Sequence, residues 1–105
     1  MDEMVTRLTA EFLKAMAHPV RIKVLKLLSE QEQCVCDLVD TIGIEQSNLS
    51  QHLSVLKKQG IIESHKNGTK VIYNLVYPPA VDIVDTVGQV LRAQIFQSQT
   101  LLEHL

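Results

Sequence analysis

CVCDLVDTIGIEQSNLSQHLSVLKKQG, residues 34–60, holds two short amphipathic runs on either side of Gly43. In the first, Val35, Leu38, Val39 and Ile42 recur at i, i+3, i+4 and i+7, which predicts a two-turn helix over Cys34 to Ile42 stopped by Gly43. After a turn at Ile44 and Glu45 a second helix is expected within Gln46 to Gln59, ended by Gly60. On its wheel, with Ser47 at zero, Leu49, Leu53 and Leu56 cluster between about 180° and 240° and anchor it to a core. Ser47, Gln51, Ser54 and Lys58 lie within about 40° of zero, flanked by Asn48 and Ser50.

That outward face suits a DNA major groove. Gln and Asn pair bidentately with adenine, Ser bonds to a base edge or a phosphate oxygen, and Lys57 and Lys58 neutralise phosphates further along. Helix, short turn and helix together make a helix-turn-helix. Downstream, Ile61 to Lys66 and Thr69 to Leu75 alternate apolar and polar residues around Asn67-Gly68, which predicts a hairpin with a two-residue turn. The hairpin supplies a wing with Lys66, Asn67, Gly68 and Lys70 at its tip. His52 falls near 140°, at the border of the buried face, and reads as a packing or hydrogen-bonding residue.

Upstream, Val5, Leu8, Phe12 and Met16 form one stripe, with Arg7, Glu11 and Lys14 on the polar face. Pro19 suits the first position of a second helix running to about Ser29, with Val20, Val24, Leu27 and Leu28 inward. At the other end Pro78 and Pro79 start a last helix whose stripe is Val84, Val87, Leu91, Ile95, Leu102 and Leu105. The expected fold is mainly α: a winged helix-turn-helix of five helices plus a two-stranded wing, in one domain over 1–105.

Bulk properties agree. At 105 residues and 46% hydrophobic content, the chain suffices for one core, and its 4% aromatic content requires that core to be aliphatic. The net charge of −2 conceals segregation: Lys57, Lys58, Lys66 and Lys70 oppose Glu63 alone between Gln46 and Leu75, whereas Leu28 to Glu45 carries five acids and no base. Cys34 and Cys36 are too close to frame a disulfide-stapled secreted domain, and neither a leader nor a membrane span is evident, so a cytoplasmic location is expected. No phosphate loop, metal-ligand cluster or supported nucleophile suggests an enzyme. His18, His65 and His104 are scattered, with no spacing for a metal site.

Lys14-Ala15-Met16-Ala17-His18-Pro19-Val20-Arg21, Cys34-Val35-Cys36-Asp37-Leu38, Ser47 to Leu56 and Lys66 to Tyr73 resemble the ArsR/SmtB family of bacterial metal-responsive repressors, over Leu13 to Ile95. The resemblance implies a homodimer joined through its first and last helices, here Leu8, Phe12, Val84, Val87, Leu91 and Ile95. It also implies a two-fold symmetric duplex operator.

Cys34 stands where a helix-capping Ser or Thr often occurs, with Asp37 at the position of the capping-box acid, so Cys34 and Cys36 lie at a helix N-terminus, where the dipole favours thiolate, although Asp37 and Asp40 oppose it. The pair suits a soft metal or an oxidant. The segment resembles the metalloid site of the arsenite-responsive branch, but the third cysteine of some arsenite sensors is replaced by Val39. The cadmium-type site lacks its upstream cysteine, and the zinc-type Asp-X-His pair is replaced by Asp82-X-Val84 and Asp85-X-Val87. As(III) or Sb(III) is therefore the first expected inducer, with no cofactor required. Cu(I), Cd(II), thiol oxidation, persulfide chemistry and a repressor that senses no metal stay open. A strain-free disulfide between the two cysteines looks unfavourable, because i and i+2 side chains on a helix do not face each other. The expected mechanism is release of DNA when ligand capture distorts the helix-turn-helix, by an affinity shift of about 10³ or more.

Overall fold

The computed structural model describes residues 1–104, so Leu105 of the expected C-terminal stripe lies outside the described residues. Five helices and three short strands follow in the order α1 (Glu3–Met16), α2 (Pro19–Glu30), β1 (Gln33–Cys34), α3 (Val35–Ile42), α4 (Gln46–Lys58), β2 (Ile62–Asn67), β3 (Lys70–Leu75) and α5 (Pro79–Glu103).

Local chemistry sets the boundaries. The Asp2 carboxylate accepts from the Val5 N–H at 2.8 Å and caps α1. His18 Nδ1 accepts from the Val20 N–H at 3.1 Å, and Pro19, whose missing donor costs nothing at a first helical position, opens α2. Gly43, with φ 77°, takes the left-handed conformation that ends α3 and donates its N–H to the Val39 carbonyl at 2.8 Å.

The core is aliphatic, as the composition requires. Val24, Leu25, Leu38, Leu49, Leu53, Leu56 and Ile61 are fully buried, with Ile62, Leu28, Met16, Ala15, Ala80 and Val81 around them. Leu25 did not belong to the expected inward set, while Val20 and Leu27 of that set are only partly buried. The reason is the position of α2, which packs against α1, α3, α4, α5 and β3 and so buries a wider arc than a single stripe. The α1 stripe divides by depth: Met16 is buried and Phe12 half-buried, whereas Val5 and Leu8 are exposed.

Two features of the sheet differ from expectation. β2 pairs antiparallel with β3 in a register that places Asn67 opposite Lys70, so the two-residue loop is Gly68-Thr69 rather than Asn67-Gly68. Gly68 has φ 65° while no non-glycine residue has positive φ, the requirement of a type II′ turn, in which only the first central residue is left-handed. β1 adds a third strand on the other side of β3, with Gln33 opposite Tyr73 and Cys34 opposite Ile72.

Candidate nucleic-acid interface and thiol pair

Leu49, Leu53 and Leu56 fix the rotation of α4 by burying one side of it, which turns the opposite side outward. Ser47, Asn48, Ser50, Gln51, Ser54, Lys57 and Lys58 are all exposed, as are Lys66, Asn67 and Lys70 on the wing. The structure therefore brings every base- and phosphate-contact residue expected from the sequence to the surface of two successive elements. Lys57 differs in detail, since its Nζ donates to Ser64 Oγ on β2 at 2.8 Å and ties α4 to the wing.

The start of α4, like that of α5, has no side-chain cap. Glu45 occupies its N-cap position without a side-chain capping bond, and the first intrahelical bond runs from the Leu49 N–H to the Glu45 carbonyl. The opening N–H groups therefore lack a capping side chain at a place where Gln46, Ser47 and Asn48 are exposed, and a helix N-terminus of this kind attracts phosphate oxygens.

His52 is half-buried and its ring lies 4.2 Å from that of His18, centroid to centroid, at an interplanar angle of 38°. Sequence spacing treated His18 as isolated; the packing of α2 on α4 pairs it with His52. Desolvation, then the charges of His18 and Arg21, push the His52 pKa below its usual 6.5.

Cys34 takes the capping position expected of it, but the pairing of the two cysteines departs from expectation. Cys34 has φ −74° and ψ 159°, so it is the extended last residue of β1 and the N-cap of α3 at once. Its Sγ accepts from the Asp37 N–H at 3.1 Å. Because Cys34 lies outside the helical spiral, its side chain folds over the first turn towards Cys36, the Cα atoms are 5.3 Å apart and the two sulfurs are bonded as a disulfide. The expectation that i, i+2 placement disfavours this pairing is corrected: it holds for two residues within a helix, not for a cap and N2. Cys34 is buried and Cys36 exposed. Both sulfurs and an Asp37 carboxylate oxygen lie within 4.8 Å of one another, the one cluster of potential metal ligands among the described residues.

The pair also sits between the two DNA-facing elements. Cys34 and Cys36 share a cleft of about 210 Å³ with Gln46, the first residue of α4, and with Thr69, Lys70 and Val71 of the wing. Nothing in the sequence pattern signals this proximity, which arises from the pairing of β1 with β3. Elsewhere Asp85 is engaged by Lys26 across α2 and α5. Among the described residues no helix is long and apolar enough to cross a membrane.

Comparison with known proteins agrees with this architecture. The family described as "Bacterial regulatory protein, arsR family" matches residues 18–64. An uncharacterized HTH-type transcriptional regulator of Mycobacterium tuberculosis, Rv0081, is 36% identical over 105 residues, covering 99% of this chain and 92% of the relative. Its crystal structure superposes with a TM-score of 0.78 at 35% identity, over 94% of this chain and 99% of that one. The transcriptional repressor BigR from Xylella fastidiosa gives a TM-score of 0.76 at 35% identity, over 84% of this chain and 90% of that one. The HTH-type transcriptional repressor SmtB of Mycobacterium tuberculosis is 42% identical over 65 residues, 62% of this chain and 48% of the relative. With the winged fold, the outward polar face of α4 and these relatives all in agreement, the chain belongs to the arsR family and is a DNA-binding transcriptional regulator.

Proposed function

We propose that this regulator represses transcription by binding a two-fold symmetric operator as a homodimer, with α4 in the major groove and the wing on the flanking backbone. The observation that carries the reading is the α4 surface, where Ser47, Asn48, Gln51 and Ser54 stand exposed beside uncapped N–H groups. Lys58, Lys66 and Lys70 supply the sequence-independent attraction, with Lys57 held against the wing. The dimer uses α1 and α5, through Leu8, Phe12, Val84, Val87, Leu91 and Ile95. Leu8, Val87, Leu91 and Ile95 are exposed in the single chain, as an interface awaiting a partner requires.

The inducer in this reading is As(III) or Sb(III), bound by the reduced thiolates of Cys34 and Cys36 with Asp37 as the adjacent oxygen donor. Capture takes the Cys34 sulfur from the Asp37 N–H and so uncaps α3 next to Gln46 and the wing, which disturbs both DNA-facing elements together. A second reading is favoured by the bonded sulfurs themselves: the dithiol is oxidised to the disulfide by a peroxide, which accepts two electrons and two protons and leaves as water.

Fluorescence anisotropy of a promoter-derived duplex tests both. Reduced protein is titrated with arsenite and, separately, with hydrogen peroxide. We expect release by arsenite that Cys34→Ser abolishes, with operator affinity unchanged because a serine hydroxyl keeps the α3 cap. Release by peroxide alone transfers the switch to the oxidation reading. Undiminished induction of Cys34→Ser by either agent removes the thiol pair from the mechanism.

A further inference from the structure

A second cleft, of about 340 Å³, opens between α1, α2 and the C-terminal part of α4. Each of the three helices contributes a cation to its lining: Lys14 from α1, Arg21 from α2 and Lys58 from α4. Glu11 is the sole acid of the lining, so the cleft carries two net positive charges. None of the three cations has a carboxylate within 4.0 Å, since the single ion pair among the described residues joins Lys26 to Asp85.

Arg21 is the most informative of these residues. It is half-buried, and its Nε is shielded from solvent with no hydrogen-bond partner among the described residues, where it is the one buried side-chain nitrogen or oxygen in that condition. Buried donors are nearly always satisfied, and an unsatisfied one beside a cleft is explained by an ordered water or an ion held there. A guanidinium is also the group best shaped for phosphate, because its planar fork presents several donors at once. Ala15 and Val55 provide an apolar floor that lowers the local dielectric and strengthens attraction above it.

We propose that this cleft is a binding site for a phosphate-type dianion, held by Arg21 together with Lys14 and Lys58. The charge of the site matches a dianion, and occupation would draw α1, α2 and α4 together around one ligand. The ligand comes from one of two sources: a free phosphate or phosphate monoester acting on the recognition helix, or a backbone phosphate of the bound duplex reaching the C-terminal end of α4.

The experiment uses the full chain and inorganic phosphate, with sodium chloride of equal ionic strength as control. His52 provides the readout by proton NMR, because Arg21 and His18 already bias its titration and a phosphate anion beside Arg21, of either charge, must move its midpoint upward. For a free-anion site we expect a saturable upward shift with phosphate and none with chloride. Lys14→Ala should weaken that affinity about two- to fivefold, and Arg21→Lys about tenfold, by loss of the fork. Lys14 is exposed, so its variant keeps the test valid if Arg21→Lys does not fold. For a DNA phosphate the shift appears on adding duplex instead, and Lys14→Ala lowers the slope of log affinity against log salt by about one. Phosphate indistinguishable from chloride, together with an unchanged DNA salt slope in Lys14→Ala, overturns the proposal.

Discussion

Gln51 and Lys70 are both exposed, yet they serve different ends in the proposed complex. Gln51 projects from α4 among the residues that reach base edges, and Gln51→Ala should weaken binding to the preferred operator by about 1 to 3 kcal/mol with little effect on other sequences. Lys70, beside the wing turn, meets phosphate, so Lys70→Ala should weaken binding to every duplex about equally and flatten the salt dependence. Parallel losses for both variants on all duplexes, measured by anisotropy, would contradict this division. His52 governs a different property. Its folded-state pKa lies below the usual 6.5, so the native state binds fewer protons than the unfolded chain in that region. The resulting stability is fully present above 6.5 and is lost as pH falls through 6.5 and then through the lowered native value. Thermal melts at about pH 7.5 and about pH 5.5 should therefore differ more for the wild type than for His52→Gln, and equal drops would show that the histidine does not couple to folding.

Among the elements, α4 was the most legible from sequence, because Leu49, Leu53 and Leu56 recur at helical spacing and nothing in tertiary packing overrides them. Leu53→Ala should cost about 2 to 5 kcal/mol in a urea unfolding curve, since the leucine is fully buried in the aliphatic core and its removal leaves a cavity. A loss below about 1 kcal/mol would mean that the neighbours collapse into the space. The wing was legible as a hairpin, but its turn was displaced by one residue, because Asn-Gly and Gly-Thr both satisfy a two-residue loop and only the pairing of Ile62 with Leu75 selects between them. β1 escaped notice because two residues carry no periodicity. Its existence depends on Ile72 and Tyr73, some forty positions away, and with it came the extended conformation of Cys34 that brings the sulfurs together. The proximity of His18 to His52, and the convergence of Lys14, Arg21 and Lys58, are likewise products of helix packing that no local pattern encodes.

As a whole the chain is extended for its length. Its radius of gyration is 16.7 Å, against about 13 Å for a compact domain of this size. The excess lies in α5, whose 25 residues run about 37 Å and leave Val87, Val90, Leu91, Ile95, Phe96, Leu101 and Leu102 in solvent. A continuous groove of about 400 Å³ between α1, α2 and α5 is lined by Leu13, Met16, Ile22, Val84, Val87 and Leu91, and the dimer proposed above covers it. Leu91→Lys places a charge in that seam. We expect a monomer by sedimentation and an operator affinity lower by about 10² or more, because two half-sites no longer bind as one unit. A dimer that persists in Leu91→Lys would move the interface elsewhere. The open start of α4 has a consequence at this same scale. In the proposed complex the opening amides of α4, which Glu45 leaves without a side-chain cap, are free to take a phosphate oxygen of the operator in its place. Such a phosphate contact would fix the register and tilt of α4 on the duplex, and leave the choice of sequence to the side chains that reach the bases.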